Sequence, residues 1–251
     1  MPAEGAAPIL EVRGLQKRYE GLLALAGIDF DVARGEIFGV IGPNGAGKTT
    51  LFSCLVGAVR PSSGTIRFRG ERIERLPGYA VVARGLVRTH QIVRPFREMT
   101  VEENVSIGAH FGSGRRRKED ADKRVGEILE KTSLSLRAGV LAGTLTIGEL
   151  KRLEIARALA TEPEVLCLDE VMGGLNPSEI AEAMKLIRSI RDSGVTVLMI
   201  EHHVHAVTGV SDRILVLNFG QKIAEGTPSE VVKDPEVVSA YLGTEPVESN
   251  L

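Results

Sequence analysis

The chain has 251 residues and a formal charge of −2, long enough to bury a full core and too evenly charged for bulk attraction to nucleic acid. Its two cysteines, Cys54 and Cys167, sit inside apolar runs as small core residues and provide neither a disulfide framework nor metal-ligand spacing. No apolar run reaches the roughly 18 residues a bilayer span needs, and the N-terminus lacks a basic region followed by an apolar stretch, so a soluble, cytosolic chain is expected whose membrane role comes through a partner.

In chain order, Ile9–Tyr19 and Leu25–Val32 read as strands, the second closing at Arg34 and Gly35. Glu36–Ile41 reads as a short buried strand. Behind it come Gly42, Pro43, Asn44, Gly45, Ala46, Gly47, Lys48 and Thr49, which fit the pattern Gly, four residues, Gly-Lys-Ser/Thr. Lys48–Val56 then reads as a helix with Leu51, Phe52 and Leu55 on one face. Glycines at 42, 45 and 47 let the backbone curl until successive N–H groups face one concave point, where the helix N-terminus adds partial positive charge. Lys48 is expected to reach the terminal phosphates of a nucleoside triphosphate, and Thr49 to give its hydroxyl to Mg²⁺. Thr65–Arg69 alternates as a half-exposed strand ending at Gly70. A short helix over Tyr79–Arg84 is stopped by Gly85, and Leu86–Gln91 reads as a strand.

The middle of the chain changes character. Thr100 and Glu103 form a capping box that opens a helix. Gly112–Lys118 reads as a loop whose Arg115–Lys118 stretch is solvated, with anionic lipid headgroups as the alternative contact. Glu119–Thr132 is helical, with Val125, Ile128, Leu129 and Thr132 on one stripe. Thr146 and Glu149 form a second capping box, opening a helix whose core face carries Leu150, Leu153, Ala156 and Leu159 or Ala160. Between about 92 and 161 no strand is read, which suggests a helical subdomain inserted into an α/β core.

The core then resumes. Glu164–Glu170 is an apolar strand ending in two carboxylates, Asp169 and Glu170. Asn176 caps a helix with Pro177 at its first position, and Gly194 stops it. Val195–Ile200 is another buried strand with Glu201 and His202 at its end. Arg213–Asn218 and Gln221–Glu225 form a hairpin, and Thr227–Glu230 begins two short terminal helices. Apolar strands alternating with helices argue for an α/β fold with a parallel sheet covered on both faces.

Ligands of such sheets bind beyond the carboxyl ends of the strands, which draws attention to Asp169, Glu170 and His202. One carboxylate can serve Mg²⁺ and the other polarise an attacking water, and the residues alone do not say which does which. His202 either contacts a terminal phosphate or is a packed or helix-capping residue. His203 and His205 nearby do not present three rings to one ion at this spacing.

These residues together resemble the nucleotide-binding subunit of ABC transporters over nearly the whole chain. Within that family the chain is similar to the ATPase subunits of branched-chain (hydrophobic) amino-acid importers, through Arg94–Thr100, Arg152–Arg157, Gly174–Pro177, Gly226–Pro228 and Ala240–Gly243. The resemblance implies a P-loop NTPase core with a parallel sheet, an N-terminal antiparallel β subdomain and an inserted α-helical subdomain. One ABC ATPase domain would span 1–251, with the core at about 9–91 and 162–251 and the helical part at about 92–161. It implies that Tyr19 stacks on adenine and that Gly42 to Thr50 hold the phosphates and Mg²⁺. Gln91 would touch Mg²⁺ and the attacking water and sense the permease. Asp169 would be the Walker B carboxylate, Glu170 the catalytic base and His202 the switch histidine. Gly174, Leu175 and Asn176 would form the loop that crosses between subunits.

The family's Leu-Ser-Gly-Gly-Gln signature here reads Leu145, Thr146, Ile147, Gly148, Glu149, keeping a hydroxyl at Thr146 and a close-approach N–H at Gly148. Val171 stands where proline usually follows the Walker B glutamate, and His90 where an aromatic usually precedes the glutamine. These departures bear on turnover and subunit pairing more than on nucleotide binding. The expected function is hydrolysis of ATP, with Mg²⁺, in a sandwich dimer that drives uptake of a small solute, with branched-chain or hydrophobic amino acids as the expected cargo. The partners implied are a second ATPase subunit (the same or a different chain), transmembrane permease subunits and, indirectly, a periplasmic or extracellular solute-binding protein, with no nucleic acid. The place implied is the cytoplasmic face of the inner membrane. The alternatives are a soluble ABC ATPase of translation or DNA repair, or a subunit that binds ATP with little hydrolysis. The former usually carries two nucleotide domains or a long coiled coil, and this chain has one phosphate loop and no sustained heptad.

Overall fold

The computed structural model describes residues 7–89, 95–111 and 118–242. The first elements are β1 (Leu10–Tyr19), β2 (Leu22–Val32), β3 (Ile37–Ile41), α1 (Lys48–Leu55), β4 (Ser63–Phe68), β5 (Glu71–Arg72), α2 (Gly78–Val82) and β6 (Leu86–Arg88). A helical stretch follows, with α3 (Val101–Phe111), α4 (Lys118–Lys131) and α5 (Ile147–Ala160). The chain closes with β7 (Val165–Asp169), α6 (Pro177–Asp192), β8 (Thr196–Ile200), α7 (Val204–Val210), β9 (Arg213–Asn218), β10 (Gln221–Gly226), α8 (Pro228–Val231) and α9 (Pro235–Leu242).

Two sheets result. One is antiparallel in the order β2-β1-β4-β5. The other runs β10-β9-β3-β8-β7-β6, with β9 through β6 parallel and β10 antiparallel on the edge. The parallel strands carry apolar side chains through their middles because both faces are covered, and successive side chains feed two different cores. Phe38, Val40, Cys167, Leu198, Ile200, Leu215 and Leu217 join the antiparallel sheet and α1 in one core. Ile37, Ile41, Leu166, Leu168, Val197, Met199, Ile214 and Val216 pack into the other core with the helices. Both cysteines are free and buried in the first of these cores, where burial pushes their thiols up to about 11 for Cys54 and about 12 for Cys167.

The register of the parallel strands decides where the chemistry falls. Val40 of β3 and Asp169 of β7 both pair with Ile200 of β8, so the chain leaves all three strands along one line. The residues just beyond that line are Gly42, Glu170 and Glu201 with His202.

Several elements differ from the sequence expectation. β2 starts at Leu22 rather than Leu25, because Glu20 (φ 34°) and Gly21 (φ 107°) make a two-residue hairpin that pairs Tyr19 with Leu22. β4 starts at Ser63, α2 covers Gly78–Val82, and the two-residue strand β5 was not foreseen. β6 ends at Arg88, and the rest of the expected strand to Gln91 reaches past the described residues. The loop read over 112–118 also lies outside them, except that Lys118 already begins α4. α5 buries Leu153, Glu154, Ile155, Ala156, Ala158, Leu159 and Ala160, wider than the single stripe expected, because it packs on α3, α4 and β7 together.

Ahead of α3, the segment 96–101 is stitched to 138–143: Val101 N donates to Val140 O at 2.9 Å, Ala142 N to Met99 O at 2.9 Å and Gly143 N to Arg97 O at 3.1 Å. Asn104, fully buried on α3, fastens the same segment. Its Oδ1 accepts from Phe96 N at 2.9 Å, and its Nδ2 donates to Phe96 O at 3.0 Å and Thr100 O at 2.9 Å. Asn104→Ala removes these part-buried hydrogen bonds and is expected to cost about 1–3 kcal/mol. Urea denaturation would read it, with hydrogen exchange raised first at residues 96–100.

Candidate functional site

The loop between β3 and α1 is shaped by its glycines. Gly42 (φ 153°) has no room for a side chain, since a Cβ there would stand 2.1 Å from the Leu217 carbonyl oxygen. Gly47 (φ 101°) is the N-cap of α1 and offers no side-chain cap. By contrast α5, α6 and α8 each begin with a complete capping box, and Thr100 with Glu103 makes the same exchange ahead of α3. The first N–H groups of α1 are therefore left for an anion. Lys48 Nζ donates to Gly42 O at 2.6 Å and Pro43 O at 2.9 Å. Burial lowers the Lys48 pKa, against the pull of the Glu170 and Asp169 charges.

Asp169 is fully buried. Its Oδ2 accepts from Arg88, whose guanidinium also donates to Ser53 Oγ on α1 at 3.1 Å, and its backbone N donates to Thr89 Oγ1 at 3.1 Å. Asp169 Oδ1 is buried and has no hydrogen-bond partner among the described residues. That orphaned carboxylate oxygen, with the Thr49 hydroxyl on the first turn of α1, is the oxygen donor chemistry Mg²⁺ takes, so the residues fit the ion. Glu170 turns out of the strand at φ 51°, its N donating to Ile200 O at 2.9 Å, and Lys151 Nζ holds its carbonyl at 2.8 Å. Its Oε1 lies 2.6 Å from His202 Nε2, within reach of the ring's N–H.

One cleft of about 540 Å³ collects Tyr19, Leu22, Ala24, Asn44, Gly45, Ala46, Gly47, Lys48, Thr49, Thr50, Glu170 and His202, with Phe219 and Gly220 at its rim. Tyr19 is 41% exposed there, with Lys17 Nζ 4.7 Å from its ring centroid. Gly42 and Asp169 lie beneath, and Pro43 faces a neighbouring cleft. Thr146 and Gly148 do not join this site. Thr146 caps α5, accepting from Glu149 N at 3.3 Å, while Gly148 lines a separate cleft between α5 and α6. A Cβ on Gly148 would come 2.8 Å from Glu179 Oε1 of the same chain. Ile147 beside them is 62% exposed. Gln91 lies outside the described residues.

Sequence reading gave no role to Arg88 or Glu201. Arg88 could have been suspected as a charge inside an apolar strand. Glu201 is buried, its Oε1 accepting from Met172 N at 2.7 Å. It ties the end of β8 to the loop that follows Glu170.

A glycine-shaped phosphate loop, a buried carboxylate and a Glu–His pair at the carboxyl edge of a parallel sheet define a nucleotide-binding ATPase cassette. The family model described as "ABC transporter" matches residues 25–173, and one described as "Branched-chain amino acid ATP-binding cassette transporter" matches 221–247. The chain therefore belongs to the ABC transporter family. It is 44% identical to the high-affinity branched-chain amino acid transport ATP-binding protein BraF of Pseudomonas aeruginosa and equally to LivG of Escherichia coli, over 94% of this chain and 98% of each relative. A crystal structure of a nucleotide-free ATP-binding cassette from an ABC transporter superposes with a TM-score of 0.87 at 31% identity, covering 94% of this chain and all of that one.

Burial raises the Glu201 carboxyl to about 7, helped by the Glu170 charge and opposed by the Met172 N–H. A carboxyl raised by folding contributes stability that is fully present below its unfolded pKa, about 4.3, and is lost as pH rises through about 7. Glu201→Gln keeps an acceptor for Met172 N and carries no charge. Urea titrations are expected to show the variant gaining on wild type from pH 5 to pH 8, by on the order of 2–3 kcal/mol.

Proposed function

We propose that the chain is the ATP-hydrolysing subunit of an importer for branched-chain or hydrophobic amino acids, working as one half of a nucleotide sandwich. The observation that carries this is the division of the site. Tyr19, the phosphate loop and the Glu170–His202 pair line one cleft, while the signature residues Thr146 and Gly148 stand at the start of a different helix outside it. A second ATPase subunit facing this one would bring its own Thr146 and Gly148 to the open side of the cleft.

Within that sandwich Tyr19 would lie against the adenine, and Gly42, Pro43, Asn44, Gly45, Ala46, Gly47 and Thr50 would cradle the phosphates. Lys48 would exchange the carbonyls of Gly42 and Pro43 for phosphate oxygens, gaining a charged partner for neutral ones. Mg²⁺, held through Thr49, Asp169 and Gln91, would supply neutralisation of the phosphate charge. Glu170 would take the proton of the attacking water, with His202 Nε2 fixing the carboxylate and reaching the terminal phosphate. Closure is favoured because ATP contacts the shut dimer better than the open one.

The amino-acid cargo is supported by the names of the relatives and by the match over 221–247. No helix among the described residues is long and apolar enough to cross a membrane. The pore is assigned to separate permease subunits on whose cytoplasmic face this chain docks, and the cargo reaches them from an external solute-binding protein. The docking signal would pass through Gln91 and the segment 96–101, which is bonded to the segment 138–143 leading into the signature.

Glu170→Gln tests the reading. The variant is expected to bind ATP with Mg²⁺ as wild type does, to lose about 10²–10⁴ in turnover, and to accumulate a closed dimer by size-exclusion chromatography. Binding without a closed dimer, with or without the permease, would sink the sandwich.

A further inference from the structure

The signature helix α5 also reaches into its own chain's site, through a side chain the mechanism above does not use. Lys151 lies one turn beyond Ile147 and Gly148, on the same side of the helix. Its stem is half-buried in the cleft between α5 and α6, where Val171, Leu175 and Glu179 also face it. From there its Nζ donates to the Glu170 carbonyl oxygen at 2.8 Å.

The Glu170 peptide is one that needs holding. At φ 51° it sits in the left-handed region, which a residue with a Cβ disfavours. Its N–H is spent on Ile200 O at 2.9 Å, which pins the near side of the residue to β8. On the far side, Gly173 N comes to the Glu170 oxygen at 3.4 Å, at the edge of hydrogen-bond reach. The Lys151 ammonium gives that oxygen a shorter, charge-assisted bond. Val171 stands next in the chain where the family usually has proline, so no ring stiffens the backbone that follows.

We propose that Lys151 is a positioning residue for hydrolysis, orienting the Glu170 peptide from the signature helix so that the carboxylate stays on His202 and faces the phosphate cleft. This rests on Glu170 acting as the base, and it gives the signature helix a task inside its own chain. On the sandwich reading, the first turn of α5 meets the partner's nucleotide, while Lys151 on the next turn holds this chain's base. A shift of α5 as that nucleotide docks therefore moves the donor that orients Glu170. Lys151 does not line the nucleotide cleft. Its loss spares nucleotide affinity and falls on the chemical step.

The test uses the full chain with Lys151→Met, which keeps the aliphatic stem and removes the donor, and Lys151→Arg, which keeps a charged donor. With ATP and Mg²⁺, kcat is expected to fall roughly 5- to 20-fold in Lys151→Met, the worth of one such bond. KM, and the calorimetric Kd for ADP with Mg²⁺, should stay within about twofold of wild type. Lys151→Arg should recover most of the lost turnover, and hydrogen exchange without nucleotide should quicken in Lys151→Met first at residues 170–173. Unchanged kcat in Lys151→Met, with Glu170→Gln inactive, would overturn the proposal and leave Glu170 as the base. A loss shared equally by Lys151→Arg, or a Kd raised along with the fall in kcat, would assign the effect to packing of the helix and equally overturn it. Wild type that turns over no ATP, or Glu170→Gln that turns it over as wild type does, would overturn both readings together.

Discussion

Lys48 folded onto the carbonyls of Gly42 and Pro43 is the contact on which the site depends. Without that lysine the loop would present inward-facing carbonyl oxygens to one another, with nothing positive between them. With it the loop is already curled. On the proposed reading, nucleotide binding would be an exchange of partners on a formed loop, with little backbone left to order. The lysine's position is strained electrostatically, because burial disfavours its charge and neutral carbonyls compensate it only in part. A phosphate answers that deficit better than the loop does.

The lysine has this role because of where the sheet delivers it. Three segments far apart in sequence end at one line, set by Val40 and Asp169 pairing with the same residue, Ile200. The register is fixed by the two cores. A one-residue slip of β7 would move Leu166 and Leu168 into the core that holds Cys167, and would turn Asp169 away from Arg88 and α1. Packing on both faces of the sheet thus places the carboxylates relative to the loop. The Arg88 bond takes one oxygen of Asp169 and leaves the other orphaned, so the geometry leaves a single oxygen for a cation.

What could be read from the sequence was what depends on neighbours within four residues. The capping boxes at Thr100, Thr146, Asn176 and Thr227 all form, because both halves of each exchange lie in one turn. The glycine loop and the apolar strands were legible for the same local reasons. Asn104, Arg88 and Glu201 were not, since each takes its meaning from a partner the local pattern cannot show. Asn104 looks like a polar residue on a helix until Phe96 is found folded back against it. Glu201 looks like a solvated strand end, and yet it is buried on the Met172 N–H. The start of β2 was missed because Glu20 with Gly21 is not among the strong hairpin pairs, although it adopts their geometry.

The unusual signature follows the same logic. Glu149, in place of the family's glutamine, would seem to set a carboxylate against a partner's phosphates. The structure commits it elsewhere: Oε2 accepts from Thr146 N at 2.9 Å, and Oε1 accepts from Arg137 Nε at 2.7 Å. Those bonds hold its carboxyl below the usual range, so it stays ionised and paired. Arg137 neutralises most of what a phosphate would feel, because an ion pair seen from a distance is only a dipole. Ile147 presents an exposed apolar side chain where glycine would leave bare backbone. Gly148 packs against Glu179 of α6, so that a methyl group there would have to displace the Glu179 carboxylate. The signature segment is therefore built as a capped, charge-compensated helix start with one apolar contact facing outward. Such a surface suits pairing with another subunit across an apolar seam more than long-range attraction to phosphate.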